Sequence, residues 1–155
     1  MLITRDGQAL RFAETEVRAM GRQAMGVMGI RLRSGDLLAS MEVVEPDGEL
    51  LVITENGFGK RTKLTEYTPR GRATMGVATI DKHAFETIGR IKEAIVVQED
   101  DEISLISSKG IVIRMDVKNI SIQGRTTRGV SIMNLKDGDT VAGLARITEL
   151  PPPTE

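Results

Sequence analysis

A chain of 155 residues that is 40% hydrophobic and 28% charged, with a formal net charge of −1, has the balance of a water-soluble fold rather than of a polycation. The lack of cysteine excludes disulfides, thiol nucleophiles, thiolate zinc sites and iron–sulfur clusters. With 3% aromatics and no tryptophan there is little on which to stack nucleic-acid bases. No apolar run approaches the roughly 18 residues that span a bilayer, and residues 1–7 lack the basic, apolar and small-residue sequence of a secretory signal, so the expected address is the cytoplasm with no membrane partner.

In chain order the dominant feature is self-similarity. Sliding the chain by 50 residues brings Asp6-Gly7 onto Asn56-Gly57, Arg11 onto Arg61, Gly21-Arg22 onto Gly71-Arg72 and Met25-Gly26-Val27 onto Met75-Gly76-Val77. A further slide of 53 places Gly57 on Gly110, Arg61 on Arg114, Gly71-Arg72 on Gly124-Arg125 and Gly76-Val77 on Gly129-Val130. The chain is three repeats, each with too few apolar residues to fold alone. The second reads most clearly: a strand over 50–54, a hairpin turn at Asn56-Gly57, a return strand over 59–64, a loop through Pro69-Arg70-Gly71-Arg72, a strand over 77–80 and a last strand over 91–97. Residues 15–20 form a single helical turn at most. The expected class is all-β, three propeller-like blades of about four antiparallel strands each, with approximate boundaries 1–49, 50–101 and 102–149 and a short tail at 150–155.

Charge follows the repeat. Residues 5–33 carry six arginines against three acids, and residues 56–76 and 109–128 each carry five basic residues against one acid. Acids collect elsewhere, as in Glu99-Asp100-Asp101-Glu102. If the repeats stack around an axis, equivalent parts form one positive stripe suited to a polyanion running past successive units. The threefold recurrence of Arg11/Arg61/Arg114 and Arg22/Arg72/Arg125 favours that reading. Its rival is structural: an arginine repeated at a turn can hydrogen-bond carbonyls of its own blade.

Other motifs fail on inspection. Residues 57–62, GFGKRT, lack the first glycine and the following helix of a phosphate loop. His83 is the only histidine and reads as a surface loop residue, so no histidine-based metal site or catalytic relay can be assembled. The run 99–102 reads as a solvated connector, and Tyr67, aligned with Val17 and Ile120, as the filler of an apolar slot. No cofactor, metal or catalytic residue is expected.

The segments TENGFGKRTKLTEY, RGRATMGV, GIVIRMDVKNISIQGRTTRGV and LRFAETEVRAMGRQAMGVMGIRL resemble the family of C-terminal domains of bacterial DNA gyrase A, over nearly the whole chain. The resemblance implies the second half of a six-bladed β-pinwheel, in which neighbouring blades exchange a strand and duplex DNA bends around a basic outer rim. The family's first-blade box, Gln-Arg-Arg-Gly-Gly-Lys-Gly, is present only as degenerate windows: MGRQAMG at 20–26, RGRATMG at 70–76 and QGRTTRG at 123–129. Each keeps the third-position arginine and the closing glycine.

On this basis the candidate DNA contacts are Arg11, Arg18, Arg22, Lys60, Arg61, Lys63, Arg70, Arg72, Arg114, Arg125 and Arg128. The implied role is a non-catalytic, DNA-wrapping accessory module of an ATP-dependent type IIA topoisomerase, supporting negative supercoiling. Its implied partners are double-stranded DNA, the remainder of gyrase A and, through it, gyrase B. The alternatives are the equivalent C-terminal domain of topoisomerase IV and a propeller-like protein-interaction module. Three blades also leave sheet edges that must be capped, opened into an arc, or closed into a six-bladed ring by a homodimer.

Overall fold

The computed structural model describes residues 1–147, so the expected tail at 150–155 and the last residues of the third blade lie outside the described residues. The strands are β1 (Leu2–Thr4), β2 (Gln8–Leu10), β3 (Leu38–Met41), β4 (Glu49–Thr54), β5 (Phe58–Lys63), β6 (Val77–Ala78), β7 (Ile91–Val97), β8 (Glu102–Ser107), β9 (Val112–Asp116), β10 (Val130–Ser131) and β11 (Val141–Ile147). One short helix, α1 (Phe85–Ile88), interrupts them. Single 3-10 turns at Glu14–Glu16, Leu64–Glu66 and Val117–Asn119 fall at matching places in the three repeats. Strands pair antiparallel within three sheets, in the orders β3-β1-β2-β6, β10-β5-β4-β7 and β11-β8-β9, and one isolated parallel bridge joins Arg61 to Ile122. The fold is all-β, as the repeat implied, in three blade-like sheets.

Each sheet starts from a hairpin. Gly7, Gly57 and Gly110 turn β1 into β2, β4 into β5 and β8 into β9 with φ of 80°, 83° and 85°, a left-handed geometry in which a Cβ would be strained. The outermost strand of a sheet then comes from the next repeat. β6 of the second repeat pairs with β2 of the first through Ala9↔Val77, and β10 of the third pairs with β5 of the second through Gly59↔Val130. The strand expected over 77–80 stops at Ala78, because the chain there leaves the edge and turns inward. Thr79 donates its N–H to the Gly7 carbonyl at 2.9 Å, and Ile80 is buried against Gly7. The third sheet has three strands rather than four, since no described residue lies alongside β9 beyond β8.

Two cores lie between the three sheets. Leu50 and Val52 point into the first, with Ile3, Ala9, Tyr67, Ile88 and Ile91, while Leu51 and Ile53 point into the second, with Val97, Ile103, Leu105, Val117 and Ile120. β4 is therefore buried on both faces, the physical reason that Leu50-Leu51-Val52-Ile53 is an unbroken apolar run instead of an alternation. Tyr67 fills its apolar slot in the first core. Its hydroxyl shares a hydrogen bond with Thr79 Oγ1 at 2.5 Å, and burial raises the phenol above its ordinary pKa. β3, β7 and β11 lie side by side at one edge of the sheets, so β6 and β10 mark the opposite, outer edge.

Candidate nucleic-acid interface

The outer edge is built by the loops that run from β2, β5 and β9 to the next outer strand, residues 11–29, 64–76 and 117–129. Backbone hydrogen bonds lock each loop onto its neighbour: Arg70 N–H to Arg11 O at 2.8 Å and Arg31 N–H to Thr74 O at 2.9 Å join the first to the second. Arg61 N–H to Ser121 O at 2.9 Å and Gln123 N–H to Arg61 O at 2.8 Å join β5, just ahead of the second loop, to the third. These loops hold most of the candidate basic residues.

The recurrent arginines at 11, 61 and 114 have a structural task. Arg11 Nη1 donates to the carbonyls of Leu64 at 3.0 Å and Tyr67 at 3.5 Å, closing the end of the 3-10 turn in the next repeat. One repeat on, Arg61 Nε donates to Ile120 O at 2.8 Å and Nη2 to Lys118 O at 3.4 Å, while Nη1 pairs with Glu49 at 2.6 Å. Arg61 is 3% exposed. Arg114 keeps only the equivalent of the last contact, a bidentate pair with Glu102 at 2.9 Å from Nε and 2.9 Å from Nη2, and its side chain is 59% exposed. The carbonyls reached are those of the following blade, not of the arginine's own.

The third-position arginines of the degenerate boxes make a second inter-blade clasp. The Arg72 backbone N–H donates to Glu16 Oε2 at 2.9 Å, its Nε to Glu16 O at 3.1 Å and its Nη1 to Met28 O at 3.1 Å. Arg125 repeats the pattern against Glu66 Oε2 at 3.3 Å and Ala78 O at 3.1 Å. Arg22, which has no preceding repeat among the described residues, is exposed and forms no side-chain hydrogen bond with them.

Lys60, the lysine of the rejected phosphate-loop motif, is 1% exposed within β5. Its Nζ donates to Gly124 O at 2.7 Å, Arg125 O at 2.5 Å and Thr127 Oγ1 at 3.0 Å, pinning the QGRTTRG loop from below. Burial lowers its pKa to about 8. Lys60 and Arg61 thus lie inside the protein with their donors engaged, because the second blade is covered on both sides.

Five of the eleven candidates remain: Arg18, Arg22, Lys63, Arg70 and Arg128 are exposed and make no side-chain hydrogen bond or ion pair among the described residues. Arg31, counted in the basic stretch 5–33 but not singled out, joins them beside the Arg70 loop. Apart from Arg22, which recurs at Arg72 and Arg125, the exposed ones differ in position from repeat to repeat, Arg18 aligning with Thr68 and Arg70 with Met20. Recurrence alone therefore singles out Arg22 among them. The second half of the acidic run is tied into the protein, Asp101 accepting the Gln98 N–H at 2.6 Å and Glu102 holding Arg114, while Glu99 and Asp100 are exposed to solvent. His83 is an exposed residue of the 3-10 turn at Lys82–Ala84.

The model of the family described as the DNA gyrase C-terminal domain, beta-propeller, matches residues 1–45, 48–104 and 101–148, one match to each repeat. The chain belongs to this family. DNA gyrase A of Escherichia coli (strain K12) is 42% identical over 149 residues, covering 96% of this chain and 17% of that protein. DNA gyrase A of Mycolicibacterium smegmatis is 41% identical over 150 residues, covering 94% and 17%. The chain therefore spans about a sixth of the length of these relatives.

Among solved structures, the DNA gyrase A C-terminal domain superposes with a TM-score of 0.89 at 31% identity, covering 95% of this chain and 50% of that one. The C-terminal domain of DNA topoisomerase IV superposes with a TM-score of 0.88 at 30% identity, covering 94% and 45%. Backbone shape does not separate the two enzymes. The sequence relatives named here are both gyrase A proteins, so topoisomerase IV is not the better supported alternative.

Proposed function

We propose that the chain is a non-catalytic DNA-binding module of gyrase A that bends duplex DNA along its outer rim. The observation that carries this reading is the array of exposed basic side chains, without side-chain partners among the described residues, at Arg18, Arg22, Arg31, Lys63, Arg70 and Arg128, in or beside the three inter-blade loops of a chain of net charge −1. Arginine and lysine at the surface neutralise phosphates and release their counterions, a sequence-independent attraction that the family's placement makes relevant here. Bending a site of 20–30 base pairs costs on the order of 1–6 kcal/mol, so contacts from several successive loops are needed to offset it. Arg11, Lys60, Arg61, Arg72 and Arg125 act one step back, holding blade to blade and setting the spacing of the loops. Arg114 remains exposed at the last blade, paired with Glu102. In the assembled enzyme the bent duplex would present a second segment at a fixed crossing, with cleavage and ATP hydrolysis in other parts of gyrase A and gyrase B.

Fluorescence anisotropy with a duplex of about 40 base pairs tests this across a salt series. With about six phosphates neutralised, log affinity against log salt has a slope near −5. The variant Arg18→Ala/Arg22→Ala/Arg70→Ala/Arg128→Ala flattens the slope by about 3 to 4, at about −0.9 per lost contact. No binding at low salt, or an unchanged slope in the variant, overturns the proposal.

A further inference from the structure

We propose that the Glu16 and Glu66 carboxylates occupy two latent phosphate seats on the rim, and that a phosphodiester of the duplex takes each seat by displacing the carboxylate. The inference rests on the DNA-binding reading above and concerns what limits that binding. It starts from the acids of the first two inter-blade loops. Residues 11–29 and 64–76 contain three, Glu14, Glu16 and Glu66, and two of these are repeat mates, Glu66 lying 50 positions after Glu16. Each mate closes a 3-10 turn, Glu14–Glu16 or Leu64–Glu66, and from there reaches the box loop of the following blade.

The seat is made of backbone. Glu16 Oε2 accepts the Arg72 N–H at 2.9 Å, and Glu66 Oε2 accepts the Arg125 N–H at 3.3 Å. The residue before each arginine is glycine. A Cβ on Gly71 or Gly124 would find within 4 Å only that same carboxylate oxygen, 3.9 Å away, so nothing else among the described residues fills the seat. A backbone N–H at an open turn beside arginines is a site for a small anion. Beneath the second seat, Lys60 Nζ holds the loop by the Gly124 and Arg125 carbonyls. Burial lowers the pKa of that lysine and the Glu66 charge acts against the lowering, so a negative charge at this seat also supports the ammonium below it.

The occupant is exchangeable. Both glutamates are exposed, and neither carboxylate makes another hydrogen bond or an ion pair among the described residues. A side chain held by one hydrogen bond swings clear by rotation about its own bonds. A phosphodiester carries the same single negative charge on two non-bridging oxygens, so it can accept the same N–H, and the exposed Arg70 adjoins Gly71 in the chain. The carboxylate, unlike the phosphate, is tethered to the rim and lowers its positive potential where the duplex lies. The two glutamates thereby hold DNA affinity below what the arginines alone would give, and keep the amide seats paired when no DNA is there.

Fluorescence anisotropy of the 155-residue chain with a duplex of about 40 base pairs, over a salt series, tests this on Glu16→Gln/Glu66→Gln. Glutamine keeps an oxygen for the Arg72 and Arg125 amides, so the variant is expected to keep the wild-type circular dichroism spectrum and denaturant midpoint. At low salt it is expected to bind about tenfold more tightly than wild type, roughly threefold per carboxylate, with the gain shrinking as salt rises. Glu14→Gln removes the same charge from the same 3-10 turn without a hydrogen bond to the box loop, and is expected to change affinity less than about twofold. In the wild type, duplex DNA is expected to move the Arg72 and Arg125 signals in amide 15N spectra, a readout that does not depend on how the variant folds. A double variant no tighter than wild type, a gain of about threefold from Glu14→Gln, or unmoved Arg72 and Arg125 amides each overturns the proposal. If wild type still binds with a slope near −5, that failure leaves the DNA-binding reading standing. Absence of binding by both wild type and variant overturns the two together.

Discussion

The second and third blades are built from the same repeat, and their burial differs because only one of them has a blade on either side. β4 reads Glu-Leu-Leu-Val-Ile-Thr and is buried at every position, whereas β8 reads Glu-Ile-Ser-Leu-Ile-Ser and is buried at Ile103, Leu105 and Ser107. Arg61 and Arg114 make the same pair with Glu49 and Glu102, at 2.6 and 2.9 Å, but the first is sealed under the third blade and the second is in water. A contact at fixed geometry is worth what its surroundings make it. Water screens the outer pair, while the inner one has donors and acceptors that nothing else could satisfy.

The sharpest break of that comparison is Arg61→Ala. It leaves Glu49 buried without a counterion and the Ile120 carbonyl without its donor, so chemical denaturation should show a loss of about 3–5 kcal/mol. Arg114→Ala should cost under about 1 kcal/mol. Next, Ile53→Ala opens a cavity between sheets and is expected to cost about 2–5 kcal/mol. Ile106→Ala, at the equivalent position facing solvent, should cost well under half as much by the same measurement.

Lys60 sharpens the comparison through pH. Its folded pKa of about 8 lies below the ordinary 10.5, so between those values the unfolded chain binds more protons than the folded one. The burial penalty on the charged form is present below pH 8 and is relieved as pH rises toward 10.5, so this group's contribution to stability increases over that window. Relative to Lys60→Met, wild type should gain stability from about pH 8 to about 10, read from denaturant midpoints. A flat difference would mean that the three acceptors around Nζ hold the ammonium form. The smallest expected effect is that of Lys63→Ala. Lys63 is exposed and has no side-chain partner among the described residues, and its removal should leave stability within about 0.5 kcal/mol while reducing the salt slope of DNA binding by about 1.

Much of this was legible in the chain. Asn56-Gly57 announced its hairpin, Ile91–Val97 its strand and Tyr67 its buried slot, because each depends on local turn chemistry or on an apolar residue at a repeated position. The candidate site was legible in part. Recurrence of Arg11/Arg61/Arg114 and Arg22/Arg72/Arg125 pointed to a common task, and in the structure most of these side chains reach carbonyls or carboxylates of an adjoining blade. Repetition marks what every blade junction needs, since every junction has the same geometry. The exposed arginines at 18, 31, 70 and 128 answer to no such constraint and shift from repeat to repeat.

The sequence by itself determined the repeat, the all-β class, the hairpin turns and the concentration of basic residues in each inter-blade segment, because these follow from periodicity and from the backbone preferences of glycine and β-branched residues. Only the tertiary structure decided which of two equivalent residues is core and which is surface. Lys60 and Arg61 lie inside the protein because a third blade covers the second. Val112, Met41 and Val43 lie outside because burial is a property of what stands opposite a side chain, and no stretch of sequence carries that information about itself.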